Sequence, residues 1–145
     1  MIYGFLTPEV RKGGKRIGFD IEDIYNHEFH KLARVGEYNT QYKLGKYRIF
    51  TEEFDKVISS LEEVNPTMVD LFIIDEIGKM ELYSSQFQTL IKNLFNSDNQ
   101  IIATIGQKLN HPIKDFLLKN QEIILLYLNR ENQEKIFNKI ISVIS

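Results

Sequence analysis

A chain of 145 residues suits one domain with one core, and 43% hydrophobic with 26% charged residues excludes a disordered segment. A formal net charge of −2 leaves no positive excess for nucleic acid or an anionic membrane, and the absence of cysteine excludes disulfides and thiolate metal sites. Apolar runs are only a few residues long, so no signal peptide or membrane span is expected and the chain reads as a soluble cytoplasmic domain.

In chain order, the first half reads as strands. Ile2 to Thr7 is a short apolar run closed by Thr7-Pro8, and Pro8 interrupts any continuing ladder. Gly13-Gly14 marks a tight turn inside the basic stretch Arg11 to Arg16. Arg16 to Glu22 alternates, with Ile17, Phe19 and Ile21 on one face, as a half-buried strand does. Asn26-His27 turns the chain toward another strand near Phe29 to Arg34, and the polar stretch Val35 to Lys46 has no assignment.

The second half alternates helix and strand. Thr51 is placed to cap a helix whose first turn carries Glu52 and Glu53, with Phe54, Val57, Ile58 and Leu61 on one face; Asn65-Pro66 ends it. Val69 to Ile74 holds a continuous apolar run, as in a strand buried on both faces. Ser84 or Ser85 opens the next helix, with Phe87, Leu90, Ile91 and Leu94 inward. Gln100 to Ile105 reads as a second buried strand, and Asn110 as the cap of a short helix with Pro112 in its first turn. Ile123 to Leu128 reads as a third strand. The last helix follows Asn129, with Ile136, Phe137, Ile140, Ile141 and Ile144 as its core face. Alternating strands and helices predict an α/β fold, a mainly parallel sheet covered by helices, here preceded by an antiparallel hairpin.

In such sheets ligands bind beyond the carboxyl ends of the strands. The strand Leu71-Phe72-Ile73-Ile74 delivers Asp75 and Glu76 into that crevice. Adjacent carboxylates there suit phosphoryl transfer, one holding magnesium and the other orienting or deprotonating water. An Asp ending a strand is more often a cap or turn former. Thr104 ends the next strand, where its hydroxyl either senses a phosphate or satisfies local backbone. At Asn129-Arg130-Glu131-Asn132, Asn129 caps the last helix and Arg130 is solvated, or the planar guanidinium stacks on a base.

Ile73-Ile74-Asp75-Glu76-Ile77-Gly78-Lys79-Met80-Glu81-Leu82 resembles the Walker B segment of a P-loop family, the nucleoside-triphosphatases first described from thermophiles. Gly4-Phe5-Leu6-Thr7-Pro8-Glu9-Val10-Arg11, with Gly13-Gly14 and Arg16-Ile17-Gly18-Phe19, resembles the family's second strand and hairpin. Leu32-Ala33-Arg34 and Leu44-Gly45-Lys46-Tyr47 resemble its next strand and loop, and Ala103-Thr104-Ile105 and Asn129-Arg130-Glu131-Asn132 its later strand ends. The resemblance spans nearly the whole chain. It implies magnesium-dependent hydrolysis of ATP, GTP and other nucleoside triphosphates. It also implies Asp75 at the metal, Glu76 as general base, Lys79 near the phosphates, and Arg130 with Asn132 near the base.

One element of that family is absent from these residues. Gly14-Lys15, Gly45-Lys46 and Gly78-Lys79 are followed by Arg16, Tyr47 and Met80, so no G-x-x-x-x-G-K-[ST] run exists to cradle phosphates. Met1 stands where the family enters its second strand, so the first strand, phosphate loop and first helix are expected to be missing from a single domain 1–145 that is incomplete at its N-terminus. The expected function is a degenerate or truncated nucleoside-triphosphatase with weak or absent nucleotide binding and negligible hydrolysis, since loop contacts supply most of the positioning. An unpaired edge left by a missing strand invites a homodimer. The alternatives are an active enzyme whose true start lies upstream and a non-enzymatic module that captures a partner at the open edge. Arg11 to Arg16 reads as a solvated hairpin turn rather than a nucleic-acid patch. His27, His30 and His111 lack the compact spacing of a zinc site.

Overall fold

The computed structural model describes residues 1–144 and resolves into two compact units, Met1–Asn110 and His111–Ser145. The first contains β1 (Ile2–Leu6), β2 (Glu9–Lys12), β3 (Lys15–Asp23), β4 (Phe29–Val35), β5 (Tyr42–Leu44), β6 (Tyr47–Ile49), α1 (Thr51–Glu62), β7 (Leu71–Ile77), α2 (Ser85–Phe95) and β8 (Ile101–Ile105). The second contains α3 (Pro112–Leu118) and α4 (Gln133–Ile144). No helix among the described residues is long and apolar enough to cross a membrane.

All eight strands form one sheet, in the order β5-β6-β4-β3-β1-β7-β8, with β2 paired to β3 off that path. The sheet is mixed. β1, β7 and β8 are parallel, as the helix–strand alternation predicts, and β2 to β6 extend it as antiparallel hairpins. The long strand β3 pairs with β2 at its start and with β1 at its end, so the break at Thr7-Pro8 is the step between those two partners. The polar stretch before Lys46 holds β5, which returns through Gly45 onto β6. The basic residues do form a hairpin turn. Gly13 and Gly14 adopt positive φ, and Arg11 is tied to Glu9 and to the Gly14 carbonyl.

The core lies where α1 and α2 meet the sheet. Phe5 of β1, Phe54 of α1 and Phe87 of α2 contact one another edge-on at 5.2–5.7 Å between centroids, and all three are fully buried. The apolar faces expected for both helices are the buried ones: Phe54, Val57, Ile58 and Leu61, then Phe87, Leu90, Ile91 and Leu94. Ser84 caps α2, its Oγ accepting from the Phe87 N–H, while α1 has no side-chain cap. Phe50 holds the position before α1, and Thr51, one residue inside the helix, has a buried hydroxyl without a partner. The short helix α3 is capped by the ring Nδ1 of His111 rather than by Asn110.

Three further expectations need correction. β8 is not buried: it ends the sheet, is paired on one side only, and leaves Ile101, Ile102 and Ala103 half-exposed. Ile123 to Leu128 is not a strand: among the described residues, the unit that contains it has no strand to pair with. The apolar stripe of α4 is not a core face. Ile136, Ile140 and Ile144 are half-exposed, while Phe137 and Ile141 are 62% and 42% exposed, in a unit without a sheet to receive them.

Candidate active site

The carboxyl end of β7 is fixed by its two parallel neighbours. On one side β1 comes so close that a Cβ on Gly4 would stand 1.8 Å from the Ile73 carbonyl oxygen, so only glycine, at φ +130°, fits there. On the other side the ladder to β8 shifts register between Ile74 and Ile77. An irregularity of this kind re-aims side chains, and here it falls on Asp75 and Glu76, whose connecting peptide bond is cis.

Asp75 is held at two points. Its Oδ1 accepts from the Thr104 hydroxyl of β8 at 2.6 Å, and its carbonyl accepts from the Thr7 hydroxyl, just past β1, at 2.9 Å. The ends of three neighbouring parallel strands thus meet at Asp75, β8 through its carboxylate and β1 through its backbone carbonyl. Thr104 gives its hydroxyl to that carboxylate and not to local backbone.

Glu76 follows with its edge toward solvent, and desolvation pushes its carboxyl above the usual value, with the neighbouring Asp75 charge adding to the shift. Lys79 lies exposed in the turn after Gly78. The chain then folds back through a 3₁₀ turn, Glu81–Tyr83, which brings in a third carboxyl. Glu81 is only 3% exposed, and its Oε2 has no hydrogen-bond partner. Burial raises its carboxyl to about 8; the charges of Glu76 and Asp75 push the same way, and backbone N–H groups of Glu81 and Gly78 oppose them. Between the two glutamates stands Gly78. A Cβ built there would lie 2.8 Å from Glu81 Oε2 and 2.9 Å from Glu76 Oε1, so both carboxyls converge on the space its missing side chain leaves.

Of the expected site residues, Asp75, Glu76 and Thr104 come together, with Lys79 in the following turn. Arg130 and Asn132 lie in the second unit, in a tight Asx-type turn. Asn129 Oδ1 accepts from the N–H groups of Glu131 and Asn132, and Asn132 Oδ1 accepts from the Asn129 N–H. Asn129 therefore shapes the turn before α4, whose first residue is Gln133. Sequence reasoning passed over Thr7 and Glu81 as site residues. Thr7 is invisible without the pairing of β1 to β7. Glu81 sits beside Leu82 in an otherwise turn-like run, and its position after Gly78 was the one available signal.

Among the described residues no group of three or more His, Asp or Glu side chains is placed to hold a metal. One carboxylate, Asp75, is what remains, and that fits magnesium, which keeps most of its waters and binds through one or two carboxylates plus substrate phosphates.

A family model described as NTPase matches residues 1–141. The chain is 36% identical over 142 residues to nucleoside-triphosphatase THEP1 of Thermotoga maritima, covering 97% of this chain and 79% of that protein. It is 36% identical over 143 residues to the protein of the same name from Methanocaldococcus jannaschii, covering 97% and 78%. Among solved structures it resembles THEP1 from Aquifex aeolicus, with a TM-score of 0.84 at 25% identity over 99% of this chain and 84% of that one. A human cancer-related nucleoside triphosphatase gives 0.78 at 25% identity, over 99% and 82%.

Proposed function

The chain belongs to this nucleoside-triphosphatase family, and from that premise we propose that the end of β7 is the metal- and water-handling half of a nucleoside-triphosphate phosphohydrolase site. The observation that carries the reading is the register shift at Asp75 and Glu76, where β1, β7 and β8 end together and Thr104 and Thr7 hold Asp75. Asp75, held by Thr104 and Thr7, would hold magnesium brought in with ATP or GTP. Glu76, its carboxyl raised by desolvation and by the neighbouring Asp75 charge, accepts the proton of the attacking water. Bound magnesium would neutralise charge on the phosphate oxygens. Lys79, exposed in the turn after Gly78, supports the phosphates. The setting proposed is cytoplasmic.

Within the 145 residues no G-x-x-x-x-G-K-[ST] run supplies backbone N–H donors or a lysine for the terminal phosphates. Charge-assisted hydrogen bonds are worth about 1.5–3 kcal/mol each, so going without several of them weakens a micromolar site to roughly millimolar. The chain by itself therefore binds nucleotide weakly and hydrolyses it negligibly. Titration of a fluorescent ATP analogue with magnesium tests this: millimolar or weaker binding is expected, and saturable micromolar binding would overturn it.

A second reading is favoured by one observation. β8 ends the sheet with half-exposed isoleucines, and an apolar edge recruits another strand, most simply that of a second copy. A monomeric mass by light scattering at micromolar concentration would count against it.

A further inference from the structure

Glu81 is the feature that the hydrolytic reading leaves unused. A carboxyl this deeply buried with an oxygen lacking any partner is a cost unless something satisfies it. Two carboxylates cannot share a small desolvated space, whereas a carboxylic acid facing a carboxylate makes a short, strong hydrogen bond. The candidate partner is Glu76, because Glu81 Oε2 and Glu76 Oε1 lie 2.8 and 2.9 Å from the same point above Gly78. Gly78 is buried, and its φ is one that any residue adopts, so the constraint against a side chain there is the two carboxyl groups themselves.

We propose that Glu81 is a positioning residue for Glu76: its protonated carboxyl donates from Oε2 to one oxygen of the Glu76 carboxylate across Gly78. The contact leaves the second Glu76 oxygen free to accept a proton from the attacking water, and it prevents the exposed side chain from turning away. The proton on Glu81 stays where it is throughout; Glu81 touches neither nucleotide nor water. The direction of its shift, upward through burial, agrees with a neutral acid at physiological pH. This inference takes the proposed base role of Glu76 as its premise, yet the contact itself is readable without turnover.

The test is carbon-13 NMR of glutamate side-chain carboxyls in the whole chain at neutral pH, comparing the parent with Glu81→Gln, Glu81→Leu and Gly78→Ala. The parent is expected to give a Glu81 signal at the protonated position and a Glu76 signal with a hydrogen–deuterium isotope shift. Glu81→Leu should abolish that isotope shift and move the Glu76 signal. Glu81→Gln, which still donates an N–H, should keep the Glu76 signal near its parent position. Gly78→Ala, which retains both carboxyls and wedges them apart, should shift Glu76 as Glu81→Leu does. If the leucine variant fails to fold, as its amide spectrum would reveal, the alanine variant decides. A carboxylate signal from Glu81 at neutral pH, or a Glu76 signal indifferent to both Glu81→Leu and Gly78→Ala, overturns the proposal. An intact contact in a protein that never hydrolyses nucleotide in any context would defeat the base assignment alone. Turnover without the contact would defeat the positioning role alone.

Discussion

Leu71–Ile74 and Ile123–Leu128 are alike as sequence, short runs of Leu, Ile and an aromatic residue, yet only the first is a strand. β7 has β1 on one side and β8 on the other, and Phe72 and Ile74 are 2% and 0% exposed. In the other run Ile124, Tyr127 and Leu128 are more than half exposed, and no strand of that unit pairs with it. Strand propensity is a measure of fit to a pleated, half-buried surface, so apolar residues only permit a strand and partners make it. The ends differ in the same way. β7 delivers Asp75 into a place where two hydroxyls hold it, whereas the residues after Leu128 close on themselves in an exposed Asn turn.

The sharpest break between the two runs is expected from truncation. Phe72→Ala should cost about 3–5 kcal/mol through lost burial and the cavity it leaves. Leu125→Ala should stay within about 0.5 kcal/mol. Urea unfolding of both variants checks this, and equal costs would mean that the two runs are equally packed.

Next in size is the pH dependence that Glu81 gives to the β7 end. Its pKa in the folded state, about 8, lies above the ordinary 4.5, so the folded state holds the proton more tightly. That contribution is complete below the ordinary value and is lost as pH rises toward about 8. Glu81→Gln cannot ionise and should escape the loss. Its stability relative to the parent should rise across this window by an amount on the order of a few kcal/mol. Denaturant midpoints measured from acid to mildly alkaline pH would show it, and parallel curves would contradict it. Smaller than the Glu81 effect is Thr104→Val, which removes one hydrogen bond to Asp75 and should cost about 1 kcal/mol in urea unfolding.

What was legible in the sequence was local. Periodicity marked the buried faces of α1 and α2, and the glycine pair marked the β2–β3 turn. The apolar run before Asp75-Glu76 marked a strand that carries two carboxylates at its end. What was not legible depended on partners. The pairing of β1 with β7 places Thr7 at Asp75, and the return through the 3₁₀ turn buries Glu81; neither follows from spacing. The stripes at Ile123–Leu128 and on α4 misled for the same reason, since a pattern gives the face that seeks cover and not whether cover is there. The cap of α2 at Ser84 was legible, whereas that of α3 erred by a single residue, because His111 offers a ring nitrogen next to Asn110.

The proposed function makes Asp75 and Glu76 the reactive half of a nucleoside-triphosphatase site that these residues alone do not complete. Phosphate release from ATP and GTP with magnesium, by the 145-residue chain and its Glu76→Gln variant, tests it most directly. The expected result is no release from the parent above that from the variant. Release at an enzyme-like rate, abolished in Glu76→Gln, would contradict it and mean that these residues already contain a complete phosphate cradle.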